Sequence, residues 1–124
     1  MQHRSTVVLL VMTLAAPLAQ AQVKEFPPDA TAITAESLQG LAGKRFVGKR
    51  ADGKIWTMDF GPDAAYRLSE EKGILHGKVR LDGDKLCQDM RIKMESSCND
   101  VRLKDNTLLY KRNSNGEVVT LTAQ

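Results

Sequence analysis

From residue 43 to the C-terminus, apolar side chains recur at every second position in one short run after another. The run at residues 54–60, KIWTMDF, places Trp56, Met58 and Phe60 alternately with Thr57 and Asp59. Successive side chains of a strand point to opposite faces, so this period of two predicts half-buried β-strands. Seven further runs share the pattern, and their apolar positions are Phe46 and Gly48; Ala64, Tyr66 and Leu68; Leu75, Gly77, Val79 and Leu81; Leu86, Met90, Ile92 and Met94; Val101 and Leu103; Leu108 and Tyr110; and Val119 and Leu121.

Residues that favour turns separate these runs. The spacing of the turns, about 8–12 residues, is typical of an all-β sandwich or barrel. We predict an all-β fold, a small up-and-down antiparallel β-barrel of about eight strands, because closure removes the exposed edges of such a meander. A strongly bent open sheet is the alternative. The turn sequences are Asp52-Gly53, Gly61-Pro62-Asp63, Lys72-Gly73, Asp82-Gly83-Asp84, Asp105-Asn106 and Asn113-Ser114-Asn115-Gly116.

The first 21 residues, MQHRSTVVLLVMTLAAPLAQA, have the organisation of a secretory signal peptide. Arg4 precedes an apolar run at residues 7–16, and Ala19-Gln20-Ala21 forms a small-x-small cleavage site. The apolar run is shorter than the roughly 20 residues that a membrane-spanning helix needs. We therefore predict that residues 1–21 are removed on export to the periplasm or the cell exterior. No later segment has the length and apolarity of a membrane helix.

The remaining chain is predicted to form one domain. Residues 22–42 form an extended lead-in followed by a short helix, which begins after Thr34 and covers one end of the barrel. Thr34 can cap this helix, and Leu38 and Leu41 share one of its faces. Residues 43–124 form the barrel-like domain.

Cys87 and Cys98 are the only cysteines of the chain. In the oxidising compartments that exported proteins reach, two such thiols normally form a disulfide. A zinc site would need four ligands, the CxxC spacing of a redox motif is absent, and a catalytic cysteine would leave the other thiol unexplained. We predict a Cys87–Cys98 disulfide on the charged face of its strands, which stabilises the fold by roughly 3 kcal/mol because it closes a short loop.

Six basic residues alternate with apolar ones on three successive runs. If those strands are neighbours, the six side chains share one outer surface, which Asp89 and Asp100 partly neutralise. A solvated strand face is the ordinary interpretation, and an anion-binding patch is the functional one. Such a patch would bind an acidic polysaccharide, lipid headgroups or an acidic protein. Its candidate residues are Lys78, Arg80, Arg91, Lys93, Arg102 and Lys104.

Six large side chains of the apolar face would lie inside the barrel. They could line the cavity of a carrier for a small apolar ligand, but a solid core needs the same residues, and the chain is short for both. The candidate lining residues are Phe46, Trp56, Met58, Phe60, Tyr66 and Met90.

Motifs for catalysis or metal binding are weak in this sequence. His76 falls on the charged face, no GxSxG nucleophile elbow occurs, and most carboxylates sit in turns. Asp82-Gly83-Asp84 lacks the remaining ligands of a calcium loop, and Met58, Met90 and Met94 lie on the apolar face, where methionine fills a core. We therefore predict no enzyme, no metal and no cofactor.

Three stretches of the chain resemble short exported bacterial β-proteins with lipocalin-like character. They are LAGKRFVGKRADGKIWTMDFGPDAAYRL, LHGKVRLDGDKLC and SCNDVRL, in a region that runs from residue 41 to the C-terminus. The resemblance implies a small β-barrel and brings no shared activity.

Composition limits the class of partner. Cleavage after residue 21 removes Arg4 alone among the charged side chains, so 17 basic and 15 acidic residues remain. This mild excess, together with export, argues against nucleic acid. We expect an exported, non-enzymatic binding module that recognises an envelope component, an acidic polymer or a protein partner, with a lipocalin-like carrier as the alternative.

Overall fold

The structure, a computed structural model, describes residues 22–92 and 96–124. These residues form one short helix and nine strands. They are β1 (Thr31–Ala32), α1 (Ala35–Gln39), β2 (Arg45–Lys49), β3 (Ile55–Phe60), β4 (Ala65–Glu70), β5 (Gly73–Asp82), β6 (Lys85–Met90), β7 (Ser96–Lys104), β8 (Thr107–Lys111) and β9 (Val118–Ala123).

Strands β2 to β9 form a closed, up-and-down antiparallel barrel, with β1 as an additional strand beside β7. Each barrel strand pairs with the next in sequence, and β9 pairs back with β2, so that no edge remains between them. This confirms the predicted all-β barrel in its closed form. The closing register brings Gly48 opposite Leu121 and Phe46 opposite Ala123.

Two glycines allow neighbouring strands to approach closely. A Cβ atom on Gly48 would collide with the backbone oxygen of Thr120 on β9, and one on Gly77 would collide with that of Asp89 on β6. Both positions point into the barrel by strand parity. Glycine is therefore required where β2 meets β9 and where β5 meets β6.

The predicted alternation agrees with the burial of the strands. Met58, Leu86, Leu108 and Leu121 are almost fully buried and belong to one core cluster inside the barrel. The intervening residues face outward. This alternation of side-chain direction fixes the register, because a shift by one residue would exchange the two faces of a strand. Cys87, Leu109 and Val118 have outward parity but are also buried.

Helix α1 lies at one end of the barrel, which we call the helix end. The Thr34 side chain accepts a hydrogen bond from the backbone nitrogen of Ser37 at 3.1 Å and caps the helix. Leu38 packs against the core, and Leu41, just beyond the helix, is buried. The opposite end, which we call the loop end, is formed by residues 49–54, 70–74, 91–92 and 111–118.

Strand β6 ends earlier than the apolar pattern of the sequence predicts. Ile92 was expected to lie on the apolar inner face, and this was wrong, because β6 ends at Met90 and the Ile92 side chain is 66% exposed. The predicted signal peptide, as well as Lys93 and Met94, lies outside the described residues. Within residues 22–92 and 96–124, no helix has the length and apolarity to cross a membrane.

Candidate functional site

A row of charged and polar side chains crosses the outer wall of the barrel from β2 to β5. Arg45, Asp59, Arg67 and His76 lie side by side on adjacent strands. The Arg45 Nε atom is 2.6 Å from one Asp59 oxygen, and a terminal nitrogen of Arg67 is 2.9 Å from the other. One carboxylate is thus shared between two guanidinium groups, and a positive charge remains.

The shared carboxylate is held in its charged form. The hydrogen bond from Arg45 lowers the pKa of Asp59, with a further contribution from Arg67, against the opposing effect of partial burial. The same contact raises the pKa of Arg45. The ion triad therefore stays charged throughout the neutral range.

A second group of charges continues this surface on β5 and β6. The Arg80 Nε atom is 2.9 Å from Asp89, and Lys78 lies directly opposite Asp89 in the strand register. Hydrogen bonds from Ser96 and then from Arg80 lower the pKa of Asp89. Arg91 follows β6, where its backbone nitrogen donates to the His76 oxygen at 2.8 Å.

Lys78 and Arg91 border a shallow depression. Its volume is about 330 Å³, and it is lined by Gly77, Lys78, Asp89 and Arg91. The ion pairs found among the described residues include neither Lys78 nor Arg91. Both side chains are exposed, so a ligand can reach them. We call Arg45, Arg67, Lys78, Arg80 and Arg91, with Asp59 and Asp89, the cationic face.

The structure brings together only part of the predicted patch. Lys78, Arg80 and Arg91 belong to the cationic face, and Lys93 lies outside the described residues. Arg102 and Lys104 lie on β7, where residues 22–32, the lead-in segment, cover the wall. Arg45 and Arg67 belong to the cationic face in their place. The barrel brings their strands there, because β5, β4, β3 and β2 are neighbours in that order.

The lead-in segment contacts the charged groups of Arg102 and Lys104. The Arg102 guanidinium carbon is 4.5 Å from the centre of the Phe26 ring, and the Lys104 Nζ atom is 3.2 Å from Asp29. Arg102 also lies 3.9 Å from Asp100. Both cations therefore make contacts within the chain, on the part of the wall that the lead-in segment occupies.

The six predicted lining residues pack together inside the barrel. Phe46, Trp56, Met58, Phe60 and Tyr66 are buried, and Met90 is partly buried against the same cluster. Edge-on aromatic contacts connect Phe46 with Phe60 and Trp56 with Tyr110, at centroid distances of 5.9 and 5.5 Å. These residues form a packed core.

A chain of polar side chains, which the sequence analysis missed, crosses this core. The Gln88 side-chain nitrogen donates to the Tyr66 hydroxyl, and the Tyr110 hydroxyl donates to the Gln88 oxygen, both at 3.0 Å. Ser97 donates to the same oxygen at 3.4 Å. Burial raises the pKa of Tyr110 to about 12 and that of Tyr66 well above its usual value. Both tyrosines are therefore neutral donors and acceptors at physiological pH.

The predicted disulfide is present. Cys87 and Cys98 lie directly opposite each other on β6 and β7 and are covalently joined. Cys87 has the outward parity that the sequence indicates, although its side chain is fully buried. Among the described residues, the cluster with three metal-ligating side chains is Asp82 with these two cysteines. It cannot hold a metal through thiolates, because both sulfurs are in the disulfide.

At the loop end, two arginines flank Trp56. The guanidinium carbons of Arg50 and Arg112 are 5.5 and 5.6 Å from the Trp56 ring centroid. Arg112 also pairs with the buried Glu117 at 3.2 Å, and Glu117 accepts a hydrogen bond from the Ala51 backbone nitrogen at 2.8 Å. Two guanidinium groups therefore lie over Trp56 at this end of the barrel.

Comparison with known proteins identifies no relative. No protein-family model matches the sequence, and neither a curated protein nor a solved structure is detectably similar to the chain. The resemblance to short exported β-proteins stays a prediction, and the candidate site depends on geometry and charge alone.

Proposed function

We propose that this chain is an exported, non-enzymatic binding module whose cationic face recognises an acidic polymer. The observation that carries the proposal is the charge balance of that face, which has five basic side chains and two carboxylates on adjacent strands. An outer strand surface with this excess suits a repeating anion, because successive negative groups can meet successive cations.

Export to the periplasm or the cell exterior is part of the proposal. It is supported by the predicted signal peptide and by the disulfide between Cys87 and Cys98, a bond that is rare in reducing compartments. Acidic polysaccharides of an envelope are the kind of polymer that such a module would meet.

The extended shape of the cationic face also favours a polymer over a small anion. The shallow depression between Lys78 and Arg91 can seat one acidic group, and Arg67 and Arg45 continue the positive surface across β4 and β2. Carboxylate or sulfate groups along a chain would bind these positions in series. Individual contacts at such exposed sites are weak, so affinity arises from their number.

The experiment is retention on an immobilised polyanion, such as dextran sulfate, at low salt. We expect the wild-type chain to be retained and to elute as salt rises, because exposed charges are screened. Lys78→Glu/Arg91→Glu should flow through. The matched control, Lys44→Glu/Lys85→Glu, makes the same charge change at the helix end and should be retained almost normally.

Two results would refute the proposal. One is a wild-type chain that passes the polyanion column unretained. The other is equal loss of retention in both double variants, since that would reflect net charge and not the cationic face.

A further inference from the structure

The exposed apolar residues of the barrel are gathered at one end. Among the described residues, four large apolar side chains are exposed, with exposures between 53% and 66%. Monomeric proteins can carry single exposed apolar residues anywhere, so their position is the informative feature. The four are Val23, Ile55, Ile74 and Ile92.

Strand direction places all four at the loop end. Ile55 is the first residue of β3, Ile74 is the second residue of β5, and Ile92 follows the end of β6. The Val23 oxygen accepts a hydrogen bond from Val118, the first residue of β9, at 2.6 Å. In an antiparallel barrel these points share one end. They are distributed around its rim, as contact with a broad surface requires.

The loop end is also the basic end of the molecule. Its segments, residues 49–54, 70–74, 91–92 and 111–118, contain seven basic and four acidic side chains. The corresponding segments of the helix end, residues 34–45, 60–65, 82–85 and 104–107, contain four basic and five acidic ones. The barrel is therefore electrically polarised along its axis, and its apolar rim coincides with its positive end.

We propose that the loop end docks on an anionic lipid membrane. Exposed isoleucines among lysines and arginines match the interface of such a membrane, where apolar side chains enter the acyl boundary and cations meet the headgroups. A second copy of the chain is a poorer occupant, because two loop ends would bring like charges together. The proposal does not depend on polymer binding, which uses the wall of the barrel. Arg91 lies at the border and is counted in both surfaces.

Two variants test the two components of the contact. Ile55→Thr/Ile74→Thr removes apolar area but keeps β-branched side chains and every charge. Lys54→Glu/Lys72→Glu reverses two exposed charges at the rim. Lys44→Glu/Lys85→Glu is the matched control at the helix end. Circular dichroism should show the same fold in all of them.

The measurement is co-sedimentation with vesicles of equal parts phosphatidylcholine and phosphatidylglycerol, compared with phosphatidylcholine alone. We expect binding to the anionic vesicles only. The isoleucine variant should lower the partition coefficient about tenfold, and the lysine variant by about tenfold or more. The helix-end control should bind like the wild type. Retention of the isoleucine variant on dextran sulfate should not change, which separates this site from the cationic face.

Three outcomes would overturn the proposal. They are the absence of binding to anionic vesicles at low salt, binding that the isoleucine variant leaves intact, and an equal loss in the helix-end control. Light scattering tests a fourth outcome. If the wild-type chain is a dimer and Ile55→Thr/Ile74→Thr is a monomer, a second copy of the chain covers the rim.

Discussion

Inside the barrel, the hydroxyl group of Tyr110 donates a hydrogen bond to the side-chain oxygen of Gln88, with 3.0 Å between the two atoms. The nitrogen of the same amide donates to Tyr66. These residues come from β8, β6 and β4, so the polar chain extends across the core. It provides partners for groups that would otherwise be buried without hydrogen bonds.

Gln88→Leu should destabilise the fold by about 2 kcal/mol, because it leaves the buried Tyr66 and Tyr110 hydroxyls without this partner. Replacing all three groups, as in Tyr66→Phe/Gln88→Leu/Tyr110→Phe, should recover most of that loss, since neither tyrosine hydroxyl is then left without a partner. Urea unfolding measures both. A triple variant less stable than Gln88→Leu would show that the polar chain contributes more to stability than hydrogen-bond partners for its own buried groups.

Alkaline pH should weaken the barrel through its buried tyrosines. Burial raises the pKa of Tyr110 from 10.0 to about 12, so the folded chain keeps a proton that the unfolded chain releases. Stability is complete below pH 10 and falls between pH 10 and 12, by at most about 1.4 kcal/mol per pH unit for each such group. Tyr110→Phe should show a shallower decline in urea unfolding. An identical slope would contradict this assignment.

Acid should remove the contribution of the Asp59 ion triad. Arg45 and Arg67 lower the pKa of Asp59, so its contribution is complete above the unfolded pKa of about 4 and is lost as the pH falls through the lower, folded pKa. Asp59→Asn should cost about 1 kcal/mol at neutral pH and nothing once Asp59 is protonated. Thermal unfolding at several pH values measures the difference. The exposed turn variant Asp84→Asn is the control and should have little effect on stability at neutral pH.

The lead-in segment should stabilise the barrel wall through Phe26. Leu109 and Val118 face outward by parity, yet they are 3% and 7% exposed. The Phe26 ring contacts Arg102, which is opposite Leu109, and Lys111, which is two residues further along β8. Phe26→Ala should therefore cost about 2 kcal/mol by uncovering this apolar surface, whereas Val23→Ala, at a 59% exposed position, should cost little. Similar losses in both variants would contradict a specific role for Phe26.

Local pattern was sufficient to predict the strands and the disulfide. The alternation around Trp56, Met58 and Phe60 predicts a strand with one buried face, and the turn sequences mark where strands end. The predicted export to an oxidising compartment then favours pairing of the two cysteines. The inward position of Gln88 could also have been predicted, since it lies between Leu86 and Met90 on the same parity. A polar side chain at an inward position predicts a hydrogen-bond partner in the core, because buried polar groups are normally hydrogen-bonded.

The composition of the cationic face could not be predicted, because it depends on long-range pairing. Arg102 and Arg91 share a parity, but the lead-in segment brings Phe26 and Asp29 to β7 from a distant part of the chain. Arg45 and Arg67 enter through the shared carboxylate of Asp59. Neither the contacts of the lead-in segment nor the shared carboxylate can be predicted from the spacing of residues that are close in sequence. The end of β6 at Met90, which leaves Ile92 exposed, was likewise not marked by a turn sequence.

The most direct test of the account is an NMR titration of the disulfide-bonded chain, without residues 1–21, with a short sulfated dextran. We predict that the largest amide shifts cluster at residues 76–80 and 89–91 and extend to 67 and 45, and that they disappear in high salt. The outward residues of β8 should not shift. Shifts centred on the lead-in segment or the barrel interior, or none at a saturating concentration, would contradict the cationic face as the binding site.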